Sequence, residues 1–472
     1  MAGCCTFRYG TVAALTRSLR VVSAPWASCA IRSGQFLPSA PTPRHLPSRG
    51  FVTGAGPICA SAAAAEPSVS TPAERGCARP PRSEILTDHP SNNVPESIYE
   101  KLGVNLHQRP SHPLGIIKTS IYEYLQKADP ALKTFDDLYP VVTVKANFDD
   151  VLVPADHVSR NPNDTYYVSD ATVLRCHTSA HQLELLKRGE PAFLITGDVY
   201  RRDSIDSTHY PVFHQMEGLR VLGPEDWGSM EPTQYAETQL KQTLEGLAQH
   251  LFGSVEMRWV DAYFPFTEPS FELEILFKGE WLEVLGCGVT QQSIVDDGGF
   301  AGRKAWAFGL GLERLAMVLF DIPDIRLFWT EDSRFLSQFK AGSMKTKWVV
   351  QRGKRTNRLD SLSPSPPPSL APRTPRFKPY SKYPPCFKDV AFWLSDSFTE
   401  NNLCEVVRAV AGDLVEEVKL IDSFTHPKTG KTSHCYRIAY RSMQRSLTDE
   451  EINELQWTVR RDIENQLKVE LR

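Results

Sequence analysis

Residues 340–379 divide the chain into two stretches that can each fold around a core of their own. This segment carries ten basic residues against one acidic residue, Asp360, and it is rich in proline from Ser363 onward. Such a composition buries too little apolar surface to offset the entropy lost on ordering, and it is typical of a flexible spacer. The sequence therefore predicts a large domain over residues 83–339, a basic Pro-rich linker over 340–379 and a smaller domain over 380–472.

The N-terminal leader has a composition of its own. Between Met1 and Ala65 there are six arginines, no lysine and no acidic residue, and serine and alanine are frequent. This pattern is typical of a mitochondrial transit peptide, whereas a secretory signal has a compact apolar centre. We expect residues 1–82 to be a transit peptide and disordered leader, which would send the protein to the mitochondrial matrix. A merely disordered tail is the alternative.

Composition excludes several other classes of protein. With 41% hydrophobic and 10% aromatic residues, the chain is neither wholly disordered nor fibrous. The longest apolar candidate, residues 305–320, contains Glu313 and Arg314, so it falls short of the roughly 18 apolar residues of a membrane-spanning helix. The cysteines show no Cys-x-x-Cys spacing, so neither a zinc site nor a disulfide framework is indicated.

Apolar periodicity predicts an α+β fold. Helical spacing covers 115–127 and 233–251, and the strand signals in the large domain follow one another through short turns, which favours antiparallel pairing. The strands are expected at 193–200, 213–222, 256–266, 271–277 and 305–308. In the smaller domain we expect strands at 389–394 and 434–440 and helices at 402–418 and 449–467, forming an α+β sandwich.

Two segments carry residues suited to binding a nucleotide. The first is a strand, loop and returning strand that place Arg201, His209, Gln215 and Glu217 on one hairpin. Arginine binds phosphate through two hydrogen bonds, and an acid or amide can hold an amine. Alone, such a charged hairpin is as well explained by a solvated sheet edge.

The second segment is residues 309–317, where Gly309 and Gly311 stand between a strand and a helix that contains Arg314. Glycine permits close backbone approach to a ligand, and a helix N-terminus with a nearby arginine suits a polyphosphate. A Gly-x-Gly pair alone is a weak signal. The two segments together are specific.

These segments resemble motifs two and three of the class II aminoacyl-tRNA synthetases. Residues 177–182, 263–272 and 281–288 are similar to signatures of the phenylalanyl-tRNA synthetase family within that class. The resemblance implies an α+β fold, in which a class II antiparallel sheet flanked by helices binds ATP, and a ligase that joins phenylalanine to tRNA-Phe through phenylalanyl-adenylate.

The resemblance extends into the smaller domain. Residues 381–385, 389–394 and 426–437 resemble the C-terminal ferredoxin-like anticodon-binding domain of the family's single-chain, organellar form. That architecture agrees with a transit peptide. It implies a monomer that binds L-phenylalanine, ATP and mitochondrial tRNA-Phe and no membrane.

The resemblance also assigns roles to individual residues. Arg201 would bind the α-phosphate of ATP and Arg314 would lie on the γ-phosphate side, with Mg²⁺ bridging phosphate oxygens. Glu283 would hold the metal or the substrate, and an ion pair within the sheet is its alternative. The further residues expected to bind phenylalanine or its adenylate are Thr178, Ser179, Ala180, His181, His209, Gln215, Glu217, Phe264, Phe266 and Phe308.

Two of these residues are expected to form the side-chain pocket. Phe264 and Phe266 stand two apart in a strand-like run, so their rings should share one face. A phenyl ring packed against them gains about 0.5–1.5 kcal/mol per ring pair beyond its buried area. Ordinary core packing is the alternative for any Phe-x-Phe.

RNA binding is expected on residues 423–448, which form a basic stretch with aromatic residues interleaved. Cations there would meet phosphates while rings stack on unpaired bases. A solvated basic face is the alternative. The residues predicted to bind tRNA are Lys428, Lys431, Tyr436, Arg437, Arg441 and Arg445.

Two stretches depart from the family pattern. Residues 218–243 are shorter than the resemblance leads one to expect, and the 340–379 linker has no counterpart. A splice variant or a faulty gene model would explain both departures. Separately, a non-catalytic synthetase-like protein that binds amino acid or RNA is the alternative function. Retention of Arg201, Glu217 and Arg314 argues against it.

Overall fold

The structure is a computed structural model that describes residues 76, 78–344, 375–379 and 383–472. The transit peptide expected over 1–82 lies outside the described residues except at its end, and so does most of the 340–379 linker. At that end, Arg79 Nε donates a hydrogen bond to Leu102 O at 2.7 Å, and Ile85 is fully buried. Residues just after 78 therefore pack against the large domain.

The α-helices are α1 (Arg82–Ile85), α2 (Glu96–Tyr99), α3 (Pro113–Ala128), α4 (Val144–Asn147), α5 (Gln182–Lys187), α6 (Pro224–Trp227), α7 (Pro232–Phe252), α8 (Gln292–Asp297), α9 (Leu312–Phe320), α10 (Ser333–Leu336), α11 (Glu400–Ala411) and α12 (Asp449–Leu467). The strands are β1 (Lys133–Phe135), β2 (Val141–Thr143), β3 (Thr172–Leu174), β4 (Ala192–Tyr200), β5 (Val212–Leu222), β6 (Met257–Phe264), β7 (Thr267–Phe277), β8 (Glu280–Thr290), β9 (Lys304–Gly311), β10 (Cys386–Trp393), β11 (Val415–Thr425), β12 (Thr432–Tyr440) and β13 (Glu470–Leu471).

A seven-stranded sheet forms the centre of the large domain. Its strand order is β1-β4-β5-β9-β8-β7-β6, and all neighbouring pairs are antiparallel except β1 with β4. The antiparallel sheet expected from the short connections is confirmed. Parallel pairing is confined to β1, which is three residues long.

The two faces of this sheet have different environments. One face packs against the long helices α3 and α7 and against α9 to form the main core, as in the contacts of Leu240, Leu315 and Met216. The opposite face packs against α5 and α8 through a smaller apolar cluster. Where that cluster ends, the second face carries the polar residues of the candidate site.

The smaller domain is the expected α+β sandwich. Its sheet has the order β11-β12-β10-β13, and α11 and α12 pack on one face around a core that includes Val390, Phe392 and Ile463. The helix expected at 402–418 is wrong beyond Ala411. Gly412 adopts a φ of 54°, which glycine tolerates without strain, and the chain then enters β11.

The smaller domain contacts the loop between β4 and β5. Ile205 of that loop is buried in the core of the smaller domain, and its carbonyl accepts a hydrogen bond from Val418 N at 3.0 Å. Arg326 pairs with Asp324, and its Nη1 donates to the carbonyls of Asp413 and Val415 at 3.0 and 3.1 Å. Ile205 and Arg326 of the large domain therefore both contact the smaller domain.

Candidate active site

The floor of the site is a row of glycines on the second face of the large sheet. In the antiparallel register Glu217 pairs with Gly309, which pairs with Gly286, and Gln215 pairs with Gly311. Paired residues on neighbouring strands point to the same face. A Cβ built on Gly309 or Gly311 meets no atom within 4 Å, so open space lies directly above β9.

Glu217 borders this space and accepts hydrogen bonds from three side chains. Ser179 Oγ and Gln182 Nε2 donate to its carboxylate, and Thr178 Oγ1 lies 3.4 Å from it. Burial raises the pKa of Glu217 to about 7, and the three hydrogen bonds oppose this rise without cancelling it. The predicted residues Thr178, Ser179 and Glu217 are therefore brought together, around a carboxyl group that titrates near neutrality.

Arg201 lies at the end of β4, on the same side of the sheet. Its guanidinium lies over the Phe213 ring at 5.1 Å, and its Nε donates to the carbonyl of Cys176 at 2.8 Å. Its Nη2 has no hydrogen-bond acceptor among the described residues. The guanidinium is thus held in place by protein groups while part of its donor capacity is left for an anion.

Arg314 extends from α9 to the other side of the glycine floor. Its Nη1 donates a hydrogen bond to Glu283 Oε2 at 3.3 Å. This contact is the ion pair within the sheet that the sequence analysis gave as the alternative role of Glu283. Glu272 lies near this pair, and its Oε1 has no partner among the described residues. Burial first and then the charge of Glu283 raise the pKa of Glu272 to about 7. Two carboxylates and one arginine thus border the floor opposite Arg201.

Phe264 and Phe266 form a stacked pair beside the floor, with ring centroids 5.9 Å apart and an interplanar angle of 9°. The reason given from sequence is wrong, because β6 ends at Phe264 and Phe266 lies in the turn before β7. The Phe264 ring occupies the space above Gly286, where a Cβ would lie 2.7 Å from Cζ. The two rings still form one apolar wall next to Gly309.

His209 and Gln215 lie on or near the hairpin that the sequence indicated. His209 Nδ1 bonds with Asp206 at 2.7 Å, and this hydrogen bond is the main reason that the pKa of His209 is raised, while the charge of Arg314 lowers it. Gln215 is half-buried beside Gly311. Both residues therefore border the space above β9 on its Arg201 side.

Three predicted residues lie away from this space. Ala180 belongs to a separate small apolar cluster with Val142 and Val173. His181 is fully buried, and its Nε2 lies 3.0 Å from Arg175 Nη1. Phe308 packs in the main core, because successive residues of β9 face opposite sides of the sheet and Gly309 and Gly311 face the cleft. The structure therefore does not bring these three side chains to the open space above Gly309 and Gly311.

The expected RNA-binding residues of the smaller domain have three different environments. Tyr436 is 1% exposed and packs parallel to Phe392 in the core, so it cannot stack on a base, and its assignment is wrong. Lys428 lies in the exposed turn between β11 and β12. The remaining cations pair with acidic residues, Lys431 with Glu470, Arg437 with Asp389, Arg441 with Glu416 and Arg445 with Glu451.

A different group of aromatic residues is accessible on the sheet face that the helices leave open. The guanidinium of Arg472 lies 5.5 Å from the Trp393 ring and 5.3 Å from the Phe424 ring, and His426 contacts both rings. Phe424 is 38% exposed. Phe424 lies within the stretch 423–448 that was expected to bind RNA, whereas Trp393 and Arg472 were not expected there, because they are far apart in the chain and meet only across β10, β11 and the C-terminus.

Sequence reasoning also missed Gln182 and Glu272 as site residues. Gln182 was visible as the last residue of the 177–182 signature, and Glu272 as a charged residue in the alternating run of β7. The register between β7 and β8 shifts between the pairs Leu273–Leu285 and Glu274–Glu283, so Val284 of β8 is an extra residue without a partner on β7. As a result Leu285 packs in the main core, whereas Glu283 meets Arg314.

Among the described residues, no helix has both the length and the apolar character to cross a membrane. No group of three or more histidine, cysteine or acidic side chains that could hold a metal ion is found in the same residues.

Comparison with known proteins identifies both domains. Residues 105–339 match the family model of the "tRNA synthetases class II core domain (F)", and residues 381–472 match that of the "Ferredoxin-fold anticodon binding domain". The expected fold class is confirmed in both parts.

Similar full-length proteins cover most of the chain. The chloroplastic/mitochondrial phenylalanine–tRNA ligase of Arabidopsis thaliana is 62% identical over 391 residues, which is 82% of this chain and 84% of that protein. The mitochondrial phenylalanine–tRNA ligase of Dictyostelium discoideum is 50% identical over 81% of this chain and 89% of its own length. A phenylalanine–tRNA ligase alpha subunit from Acaryochloris marina is 43% identical over 41% of this chain and 57% of its own length. The chain therefore belongs to the phenylalanine–tRNA ligases, a family of class II aminoacyl-tRNA synthetases.

Proposed function

We propose that the cleft above Gly309 and Gly311 joins phenylalanine to ATP as phenylalanyl-adenylate and then transfers the phenylalanyl group to the terminal adenosine of tRNA-Phe. Membership of the family implies aminoacylation of tRNA-Phe. We propose in addition the phenylalanyl-adenylate intermediate and the roles of individual residues. In the first step a carboxylate oxygen of phenylalanine attacks the α-phosphorus, and the bond to the leaving pyrophosphate breaks. No protein nucleophile is needed, so catalysis rests on positioning and on cations.

Phenylalanine would bind with its ring against Phe264 and Phe266 and its ammonium group toward Glu217. The apolar wall formed by the two rings stands beside the open space above Gly309. Glu217 is already fixed by Ser179 and Gln182, so an ammonium group would meet an oriented carboxylate. Because the pKa of Glu217 is about 7, both forms of its carboxyl group are populated near neutrality, and a bound ammonium group would favour the ionised form.

ATP would bind with its α-phosphate at Arg201 and its γ-phosphate toward Arg314. The observation that carries this proposal is the position of the two arginines on either side of the glycine floor, with Arg201 anchored by Phe213 and Cys176 and Arg314 by Glu283. His209, which is oriented by its hydrogen bond with Asp206, would add a further polar group on the Arg201 side. Fixed cations of this kind stabilise charge that develops on the phosphates.

Glu272 and Glu283 are the residues that fit Mg²⁺. Their carboxylates are oxygen ligands, and Glu272 Oε1 is buried without a partner in the described part of the chain. Mg²⁺ is usually held by one or two carboxylates together with substrate phosphates, so the absence of a larger acidic cluster among the described residues agrees with this role. When bound, the ion would neutralise phosphate charge.

The anticodon would contact the open face of the smaller domain's sheet near Trp393, Phe424 and Arg472. Exposed rings with a guanidinium above them suit unpaired bases, which stack on aromatic and guanidinium planes. Lys428 and the paired cations Lys431 and Arg437 flank this face and would meet phosphates.

Localisation to the mitochondrial matrix and a monomeric state complete the proposal. The relatives from D. discoideum and A. thaliana are named mitochondrial and chloroplastic/mitochondrial, which supports the organellar assignment. A relative named as an alpha subunit belongs to an enzyme with more than one subunit, so the oligomeric state needs a test of its own. Import of a fluorescent protein fused to residues 1–82, and light scattering of the purified protein, test the two statements separately.

Phenylalanine-dependent ATP–pyrophosphate exchange tests the proposed first step. We expect exchange by the native protein and a loss of roughly 10²–10³-fold in Arg201→Ala, as for removal of one fixed donor to a developing charge. Arg109→Ala, which removes a 39%-exposed arginine that pairs with Glu331, is the matched control and should retain full activity. Phenylalanine binding without exchange would instead favour the non-catalytic alternative.

A further inference from the structure

A buried ion pair lies behind the cleft, between Arg175 and Asp198. Their side chains are 2% and 5% exposed, and Arg175 Nη2 donates to Asp198 Oδ1. The same guanidinium donates from Nε to the carbonyl of Asp198 at 2.7 Å and from Nη1 to the carbonyl of Leu138 at 3.0 Å. Arg175 thus attaches its own segment to β4 and to the chain before β2.

The space around the pair is filled. A Cβ on Gly197 would lie 2.3 Å from Arg175 Nη2, so only glycine fits at that position of β4. Asp198 Oδ2 accepts a hydrogen bond from the hydroxyl of Tyr200, and both residues are buried. Close packing and hydrogen bonds therefore fix the positions of the Asp198 carboxylate and the Arg175 guanidinium.

The segment that follows Arg175 holds both halves of the proposed site. The carbonyl of Cys176, the next residue, accepts the hydrogen bond from Arg201 Nε. Thr178, Ser179 and Gln182, a few residues further, surround the carboxylate of Glu217. His181, between them, lies 3.0 Å from Arg175. The position of one short stretch of backbone therefore sets both Arg201 and Glu217.

We infer that Arg175 and Asp198 are positioning residues that couple the ATP subsite to the phenylalanine subsite. They touch neither substrate. They act through residues 176–182, whose displacement would move the anchor of Arg201 and the donors to Glu217 together. This inference rests on the roles proposed for Arg201 and Glu217.

The coupling has a distinct kinetic signature. Arg201→Ala should raise the KM for ATP and leave the KM for phenylalanine near its native value, and Ser179→Ala should do the reverse. Asp198→Asn keeps the shape of the side chain but removes its charge, and it should raise both KM values. A displacement of about 1 Å costs up to roughly 100-fold, so we expect kcat/KM for each substrate to fall by about 10- to 100-fold.

The control is a second buried arginine–aspartate pair that lies away from the cleft. Arg326 and Asp324 are each 6% exposed and pair at 2.7 Å. Asp324→Asn should lower the thermal unfolding midpoint as Asp198→Asn does, since both remove the aspartate charge beside a buried arginine, although Arg326 keeps Glu416 at 3.8 Å. It should leave ATP–pyrophosphate exchange unchanged.

ATP–pyrophosphate exchange on the full chain, with both substrates varied in turn, decides the inference. The inference is supported if Asp198→Asn raises the KM for ATP and the KM for phenylalanine while Asp324→Asn raises neither. Native KM values in Asp198→Asn while Arg201→Ala is impaired would overturn it. If Arg201→Ala and Ser179→Ala are also unaffected, the proposed site itself is wrong.

A milder variant covers the case in which Asp198→Asn does not fold. Tyr200→Phe removes one hydrogen bond to Asp198 and retains the ring. It should raise both KM values by a few fold, in equal proportion. A rise in only one of them would overturn the inference.

Discussion

His214 and Glu313 are joined by two hydrogen bonds at the point where β9 gives way to α9. The backbone N–H of His214 donates to Glu313 Oε2 at 2.8 Å, and His214 Nδ1 bonds with Oε1 at 2.7 Å. The ladder between β5 and β9 ends at Gln215 and Gly311, so the Glu313 carboxylate takes the place of the next pair. It thereby ties the helix that carries Arg314 to the strand that carries Glu217.

Replacing Glu313 with alanine should destabilise the protein strongly. Both His214 groups would lose their acceptor in a buried setting, where each unsatisfied group costs about 1–3 kcal/mol. The expected loss is therefore roughly 2–5 kcal/mol in the free energy of unfolding, measured by urea denaturation. The matched control is Glu331→Ala, which removes a 70%-exposed carboxylate and should change stability by less than about 1 kcal/mol. Equal losses in the two variants would contradict the role of the double hydrogen bond.

The KM for phenylalanine should fall as pH rises from 6 to 8. Burial raises the pKa of Glu217 from 4.5 to about 7, so its carboxylate becomes the main form only above neutrality. The ionised form is the one that attracts the substrate ammonium group. Glu217→Gln should abolish this pH dependence. The pKa of Glu272 is also raised to about 7, yet Glu272→Gln should leave the pH dependence in place. A profile that survives Glu217→Gln would refute the assignment.

The contribution of Glu217 to the free energy of unfolding should fall as pH rises from about 4.5 to about 7. Because the folded pKa of Glu217 lies above its unfolded value of 4.5, the folded state binds the proton more tightly. This contribution to stability is fully present below about pH 4.5 and is lost as pH rises through about 7. Denaturation at several pH values should show a flatter profile in Glu217→Gln than in the native chain. An unchanged slope would mean that the carboxyl titrates at its ordinary pKa.

Two glycine-to-alanine variants separate binding from stability. At Gly309 the new methyl group would meet nothing within 4 Å, so it should enter the cleft, raise the KM for substrates and leave the unfolding midpoint unchanged. At Gly218, which points to the other face, it would lie 2.3 Å from the Phe308 ring. Such overpacking costs about 1–3 kcal/mol, which thermal unfolding would reveal. Loss of stability in Gly309→Ala would show that the space above β9 is not open.

Tryptophan substitutions test the RNA surface of the smaller domain. Trp393→Ala should weaken tRNA-Phe binding by about 1–3 kcal/mol, the usual value of one base–aromatic stack, without altering ATP–pyrophosphate exchange. Trp457→Ala removes a 71%-exposed ring from α12, on the helical side of the domain, and is the control. Filter binding at fixed salt compares them. Equal affinities in the two variants would place the anticodon elsewhere.

Local pattern was enough to find most elements of the fold. The helix expected at 449–467 coincides with α12, where Thr448 and Glu451 form a capping box at its start. The strand expected at 213–222 is β5 almost to the residue. Failures came where the chain changes conformation within an apolar run, as at Gly412, where helical spacing continued into the β-branched residues of β11.

The sequence alone determined the class of fold and the order of the elements, which follow from local periodicity, and its contiguous motifs indicated Arg201, Glu217 and Arg314 as candidate site residues. Tertiary structure decided which side of each strand faces the cleft. Phe308 and Tyr436 each lie in a strand where either face could carry the ligand-contacting side chains, yet packing buries both residues in the cores of their domains. It also decided that Arg175 and Asp198, which are 23 positions apart in the chain, form one buried ion pair. Alternation specifies two faces, but only the neighbouring strands and helices determine which face is covered.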